Sequence, residues 1–176
     1  MKLTLVRHTA VDVPSGVCYG FSDVPLKSSF EAEAATVSEQ LAGKIFDKVY
    51  ASPLSRCTKL AAACGYATPL LEDRIKELNF GDWEMKAWTE IDKAEATAWF
   101  ADWLNYPAKN GESYAMMQKR VDNFIDELKA SSAGKSVCLF THSGVIRLVH
   151  VYLGLHPIEE SFEFAVEYGQ VFEFDV

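Results

Sequence analysis

Five side chains in this sequence have the types and spacing that phosphoryl transfer needs. Residues 2–8 read Lys-Leu-Thr-Leu-Val-Arg-His, a short apolar strand pattern running directly into Arg7 and His8. Residues 137–142, Val-Cys-Leu-Phe-Thr-His, repeat the arrangement and end in His142. A phosphate dianion is best held by planar cationic forks that bind two oxygens each. Arg7 and Arg56 are the candidates. A histidine with one ring nitrogen bonded to a backbone carbonyl presents the other as a free lone pair. His8 is therefore the candidate nucleophile, attacking phosphorus to give a phosphohistidine. His142 is expected to donate to phosphate oxygens as charge shifts in the transition state. The amides of Ser143 and Gly144, at a helix start, add anion-binding donors. The leaving alkoxide needs a proton, which a carboxylic acid supplies before taking one back from water. Glu77 is the candidate acid, with Asp82 and Glu84 as rivals from the same stretch.

Each residue alone has a plainer reading. An Arg-His pair after a strand is often a surface pair, and Ser-Gly after a strand is a common helix start. Arg56 alone would be a solvated helix arginine, and Glu77 alone a loop carboxylate. Their joint appearance favours phosphoryl chemistry over a metal site or a packed core. His150 and His156 have no partner pattern and read as structural or surface residues.

These residues need strands to carry them to one place. The chain alternates strands (2–6, 47–51, 69–72, 136–141) with helices (29–43, 54–65, 88–104, 113–130, 143–153). Ser28 with Glu31 three residues on reads as a capping box opening the first helix. Phe162, Phe164 and Val166, then Phe172, Phe174 and Val176 across a Tyr168-Gly169 turn, read as a terminal hairpin. Strands alternating with helices predict an α/β fold: a three-layer α/β/α sandwich on a mostly parallel sheet, with the hairpin as an antiparallel C-terminal edge. Ligands in such folds bind outside the carboxyl ends of the strands. Arg7, His8, Arg56 and His142 all fall there.

Composition sets the frame. The 176 residues suit one compact domain, 1–176, of ordinary globular composition. No apolar run is long enough to span a bilayer and no signal peptide is evident, so the expectation is a cytoplasmic protein without a membrane partner. Cys18, Cys57, Cys64 and Cys138 form no C-x-x-C pair and read as reduced thiols. A net charge of −8 argues against nucleic-acid binding, and means that local arginines must draw in an anionic substrate.

The sequence resembles the histidine phosphatase superfamily in its phosphoglycerate-mutase-like branch. The matching segments are Leu-Val-Arg-His (5–8), Ala-Ser-Pro-Leu-Ser-Arg-Cys (51–57), Glu-Leu-Asn-Phe-Gly-Asp-Trp-Glu (77–84), Gly-Glu-Ser (111–113) and Thr-His-Ser-Gly-Val-Ile-Arg (141–147). The resemblance implies a phosphohistidine mechanism without metal or cofactor. It implies His8 as nucleophile, Arg7, Arg56, His142 and the Ser143 amide as the phosphate pocket, and Glu77 as proton donor. Thr9 and Met85 stand where the family commonly has glycine. Arg-His-Thr followed by Val-Pro-Ser-Gly-Val-Cys-Tyr-Gly-Phe-Ser-Asp-Val-Pro-Leu (13–26) is similar to the α-ribazole phosphatases of cobalamin assembly. That similarity puts Tyr19 and Gly20 beside the pocket and implies α-ribazole 5′-phosphate, or the phosphorylated cobalamin precursor, as substrate. A broad small-molecule phosphatase acting on sugar phosphates or nucleotides is the alternative enzyme. A non-catalytic phosphate-sensing or protein-binding domain is the alternative of another class. A mutase fits less well, because the chain lacks long insertions. The partner expected is a small-molecule phosphate ester; a homodimer is open.

Overall fold

A computed structural model describes residues 1–176. Five strands, β1 (Lys2–Arg7), β2 (Lys48–Ala51), β3 (Leu70–Leu71), β4 (Ser136–Thr141) and β5 (Val171–Asp175), form one sheet in the order β3-β2-β4-β1-β5. All pairings are parallel except β5 on β1, which is antiparallel. Five helices accompany them: α1 (Phe30–Leu41), α2 (Ser55–Ala63), α3 (Lys93–Ala101), α4 (Tyr114–Ser131) and α5 (Ser143–Tyr152).

Side chains on successive strand residues point to opposite faces, and here both faces are apolar. Leu3, Leu5, Val137 and Leu139 pack with Met117, Val121 and Phe124 of α4 and Val145, Ile146 and Val149 of α5. Val6, Cys138 and Phe140 pack on the other face with Val37 and Leu41 of α1 and Cys57 and Leu60 of α2. The result is the three-layer sandwich expected. A smaller cluster of Cys18, Trp83, Ile91, Trp99 and Ala108 lies under the long connection between β3 and α4. No helix is long and apolar enough to cross a membrane.

The register carries the functional rim. Arg7 pairs with Thr141, and the ladder continues with the His8 amide donating to the Thr141 carbonyl at 3.0 Å. His8 and His142 therefore leave adjacent strands at the same height. The Ser52 amide donates to the Phe140 carbonyl at 2.9 Å, which brings the start of α2 to the same rim.

Three local expectations are corrected. The C-terminal edge is the single strand β5, not a hairpin. Residues 158–160 form a 3-10 turn, and the carbonyls of Phe164 and Val166 accept from Arg147 Nε (3.0 Å) and Arg7 Nη1. Arginine side chains thus occupy acceptors that a partner strand would need. The predicted 88–104 helix breaks into a 3-10 turn, Trp88–Glu90, and the shorter α3. Asp92 caps α3 by accepting from the Ala94 and Glu95 amides at 2.9 and 3.1 Å. The first helix opens at Phe30 behind Ser29, and no side chain caps it. Ser29 Oγ instead donates to Glu33, whose other oxygen accepts from the Ala10 amide at 2.7 Å, tying α1 to the segment after β1.

Met85 has a positive φ of 64°, a conformation that suits glycine. The expected family glycine at this position has a backbone reason, and methionine carries the strain. Met85 is half exposed, so little packing is lost on truncation. Met85→Gly is expected to stabilise the fold by about 1 kcal/mol, read as a higher urea midpoint at unchanged slope. An unchanged or lower midpoint would mean that the methionine side chain offsets its strain.

Candidate active site

Arg7, His8 and Arg56 converge on a cavity of about 200 Å³, which His142 itself does not line. Arg7, His8 and Arg56 line one side, with Glu77, Ser143 and Gly144 beside them. His8 is nearly fully buried. Its Nδ1 lies 2.7 Å from the Thr9 carbonyl oxygen. A carbonyl only accepts, so Nδ1 carries the proton and Nε2 keeps its lone pair. Burial, then the positive charge of Arg56, hold the His8 pKa well below the ordinary value; the Thr9 bond pulls the other way, and Arg7 adds a smaller lowering. The ring is thus neutral at physiological pH.

Arg56 is completely buried. Its Nη2 donates to the Gly20 carbonyl at 2.6 Å, its Nη1 to the Ser22 carbonyl at 2.9 Å and its Nε to His142 Nδ1 at 3.3 Å. Those contacts use three of five N–H groups, and each terminal nitrogen keeps one for a ligand. Arg7 anchors to the Val166 carbonyl and stacks on Tyr168, its guanidinium carbon 3.9 Å from the ring centre. Such stacking orients the fork while leaving its edge free.

Gly20 does not line the cavity. Its carbonyl holds Arg56, its amide donates to Glu84 at 3.0 Å, and a Cβ here would lie 1.8 Å from the Leu78 carbonyl oxygen. Only glycine fits that approach, so Gly20 serves the site by placing Arg56. Tyr19 does border the cavity, and its hydroxyl meets that of Tyr168 at 3.1 Å.

His142 sits one ring deeper, fully buried, with its centroid 5.2 Å from that of His8. Its Nε2 is 2.8 Å from Ser52 Oγ, and its Nδ1 faces the Arg56 Nε–H. An arginine cannot accept, so in this arrangement Nδ1 accepts and Nε2–H donates to Ser52. Donation to a phosphate oxygen requires the other tautomer, with Nδ1 protonated. The Ser52 hydroxyl can donate or accept, and so supports both. Burial, then Arg56 and His8, hold His142 neutral.

Of the three carboxylates, Glu77 alone borders the cavity. Its Oε1 accepts from the Leu78 amide at 3.0 Å, and its Oε2 from Ser143 Oγ and the Gly144 amide, both at 3.2 Å. The Gly144 amide is therefore committed to Glu77 rather than free for phosphate. Glu84 accepts from the amides of Gly20, Phe21, Ser22 and Phe80. Burial would raise its pKa, but the Ser22 side chain and then the Gly20, Phe21 and Ser22 amides outweigh burial and hold it below the ordinary carboxylate range. Asp82 is exposed and bound to the Asn110 side chain. Both rivals are thus structural.

Sequence reasoning missed the far wall. Tyr114, Phe162, Leu78, Phe80 and Arg147 complete the cavity. The Tyr114 hydroxyl is buried without a partner, and burial pushes it up to about 12. The signal for Arg147 was available. It lies four residues after Ser143, one helical turn along the same face of α5. His150 packs among Phe164, Phe172 and Phe174, as a structural histidine should.

Residues 3–176 match the family model of the histidine phosphatase superfamily, branch 1. The adenosylcobalamin/alpha-ribazole phosphatase of Salmonella typhimurium is 31% identical over 176 residues, covering 96% of this chain and 87% of the relative. Phosphoserine phosphatase 1 of Hydrogenobacter thermophilus is 29% identical over 161 residues, covering 87% and 76%. The crystal structure of the alpha-ribazole phosphatase from Shigella flexneri superposes with a TM-score of 0.91 at 27% identity, covering 100% of this chain and 91% of that one. The chain belongs to the histidine phosphatase superfamily. It is a phosphatase.

Proposed function

We propose that the protein hydrolyses phosphomonoesters through a phosphohistidine on His8, and that its substrate is α-ribazole 5′-phosphate or the phosphorylated cobalamin precursor. The observation carrying the mechanism is the His8 Nδ1–Thr9 carbonyl bond, which leaves Nε2 as a neutral nucleophile between two arginine forks. Arg7, Arg56 and the Ser143 amide hold the phosphate, and His142 joins them as its Nδ1–H tautomer once Arg56 Nε releases its Nδ1. The Nε2–P bond forms as the ester P–O bond breaks, and the Glu77 carboxyl gives its proton to the departing alcohol oxygen. In the second step Glu77 takes a proton from water, the water oxygen bonds phosphorus, and the N–P bond breaks. Inorganic phosphate leaves and His8 returns to its neutral form.

The substrate assignment rests on the 18–26 segment and on the relatives sharing nearly the whole chain. The aromatic wall of Phe80, Tyr114 and Phe162 suits a bulky alcohol carrying a flat base. Four free cysteines fit a cytoplasmic setting. Arg147 on the same wall favours a second reading, a phosphatase for small esters bearing an acidic group, which the phosphoserine phosphatase relative supports. Phosphate release in EDTA from α-ribazole 5′-phosphate, phosphoserine, sugar phosphates and mononucleotides separates them. A preference in kcat/KM of about a hundredfold for the ribazole ester, some 2.7 kcal/mol of discrimination, is expected. Equal rates would discard the substrate and retain the mechanism; a preference for phosphoserine would support the second reading.

A further inference from the structure

Arg120 and Glu112 do not line the active-site cavity, yet they spend more hydrogen bonds on the Glu77 segment than any other pair of side chains. Arg120 Nη1 donates to the carbonyls of Arg74 (2.7 Å) and Lys76 (2.8 Å), and Nη2 to the Glu77 carbonyl (2.9 Å). Its Nη2 and Nε also pair with Glu112 Oε1 and Oε2 at 2.6 and 3.0 Å. All five N–H donors are thereby used. Glu112 Oε1 additionally accepts from the Asn79 amide at 2.9 Å, on the far side of Glu77. The remaining carbonyl of the run, Ile75, accepts from Thr141 Oγ1 at 2.8 Å, next to His142.

Residues 77–79 lie in neither a helix nor a strand. Such a segment moves unless other groups fix its backbone. Arg120 supplies a fixed point because it projects from α4, whose Met117, Val121 and Phe124 are core residues. The other two residues of the Gly-Glu-Ser motif complete the joint. A Cβ on Gly111 would lie 2.4 Å from the Asn79 carbonyl oxygen, and Ser113 Oγ caps α4 through the Met116 amide at 3.3 Å.

We propose that Arg120 and Glu112 are positioning residues for leaving-group protonation: they clamp the backbone on both sides of Glu77 and thereby aim its carboxyl at the ester oxygen. The proposal rests on the reading of Glu77 as the acid. An ion pair that merely joined two loops would, when broken, slow every substrate alike. A clamp on the acid predicts a loss that depends on how much the leaving group needs a proton.

The experiment compares kcat/KM for glycerol 2-phosphate, whose alkoxide must be protonated, with that for p-nitrophenyl phosphate, whose phenolate leaves unaided. This ratio reports only steps up to departure of the alcohol, so hydrolysis of the phosphohistidine does not enter. Wild type, Glu77→Gln, Arg120→Lys and Glu112→Gln are compared, with melting temperatures recorded. Glu112→Gln still accepts from Asn79 but sets an amide donor against Arg120, and so tests the clamp if Arg120→Lys fails to fold. Glu77→Gln is expected to lose about a hundredfold or more on the alkyl ester and far less on the aryl ester. Arg120→Lys and Glu112→Gln are expected to show the same selectivity, with about a tenfold loss on the alkyl ester and under about threefold on the aryl ester. Equal losses on both esters for the clamp variants, or none, with Glu77→Gln still selective, would overturn the clamp alone. Equal losses on both esters for Glu77→Gln would remove the acid role and the clamp with it.

Discussion

His8→Asn is expected to lower kcat/KM by about 10⁴-fold or more, since removing a nucleophile leaves only binding and electrostatic stabilisation. The same variant should melt within about 3 °C of wild type. His8 spends its one fixed hydrogen bond on the adjacent Thr9 carbonyl, and asparagine has donors to offer that oxygen. A purely structural histidine would give the opposite pair of results, with lost stability and retained turnover. The pH profile adds a second readout. The ordinary histidine value of 6.5 is lowered here by burial and by Arg56 and Arg7. A lowered pKa means that the nucleophilic, neutral form persists as pH falls through 6.5. Formation of acid-labile phosphoenzyme from an aryl phosphate should therefore continue well below that pH. Loss of phosphoenzyme centred near 6.5 would show that the His8 ring is solvated and that the arginines do not act on it.

How far the site was legible depends on the distance between cause and effect along the chain. His8 and His142 sit at strand ends and Arg56 in the first turn of the helix after β2, and short apolar runs locate strand ends well. The parallel register then makes Arg7 face Thr141 without further information. Glu84 was harder. Its spacing from Gly20–Ser22 is more than 60 residues, and nothing local announces that it holds three successive amides there. Without that contact it remained a rival to Glu77. The false hairpin has the same origin. Phe162, Phe164 and Val166 alternate as a strand does, but Arg147 takes the Phe164 carbonyl and Arg7, 159 residues away, the Val166 carbonyl. Met85 shows the converse case. Its oddity was visible in the sequence, and its positive φ supplies the reason.

Arg56→Lys is expected to cost more than any other change of like charge, about 10³-fold in kcat/KM, by removing preorganised donors from the phosphate. The reason lies in how Arg56 is divided. One fork holds Gly20, Ser22 and His142 with three N–H groups and still keeps one on each terminal nitrogen for phosphate. Lysine has three donors on one atom and cannot span these directions. Two loop carbonyls would then lose a charged donor, at a cost of about 2 kcal/mol, lowering the melting temperature by about 4–8 °C. The charge itself would also fade. A lysine in this fully buried position beside Arg7 would have its pKa lowered by burial and by the like charge. Inorganic phosphate supplies the deciding measurement. It should raise the melting temperature of wild type through binding and barely move that of Arg56→Lys. Equal protection of both proteins would mean that Arg7 and the Ser143 amide hold phosphate on their own, and that Arg56 serves only to close the loop around Gly20.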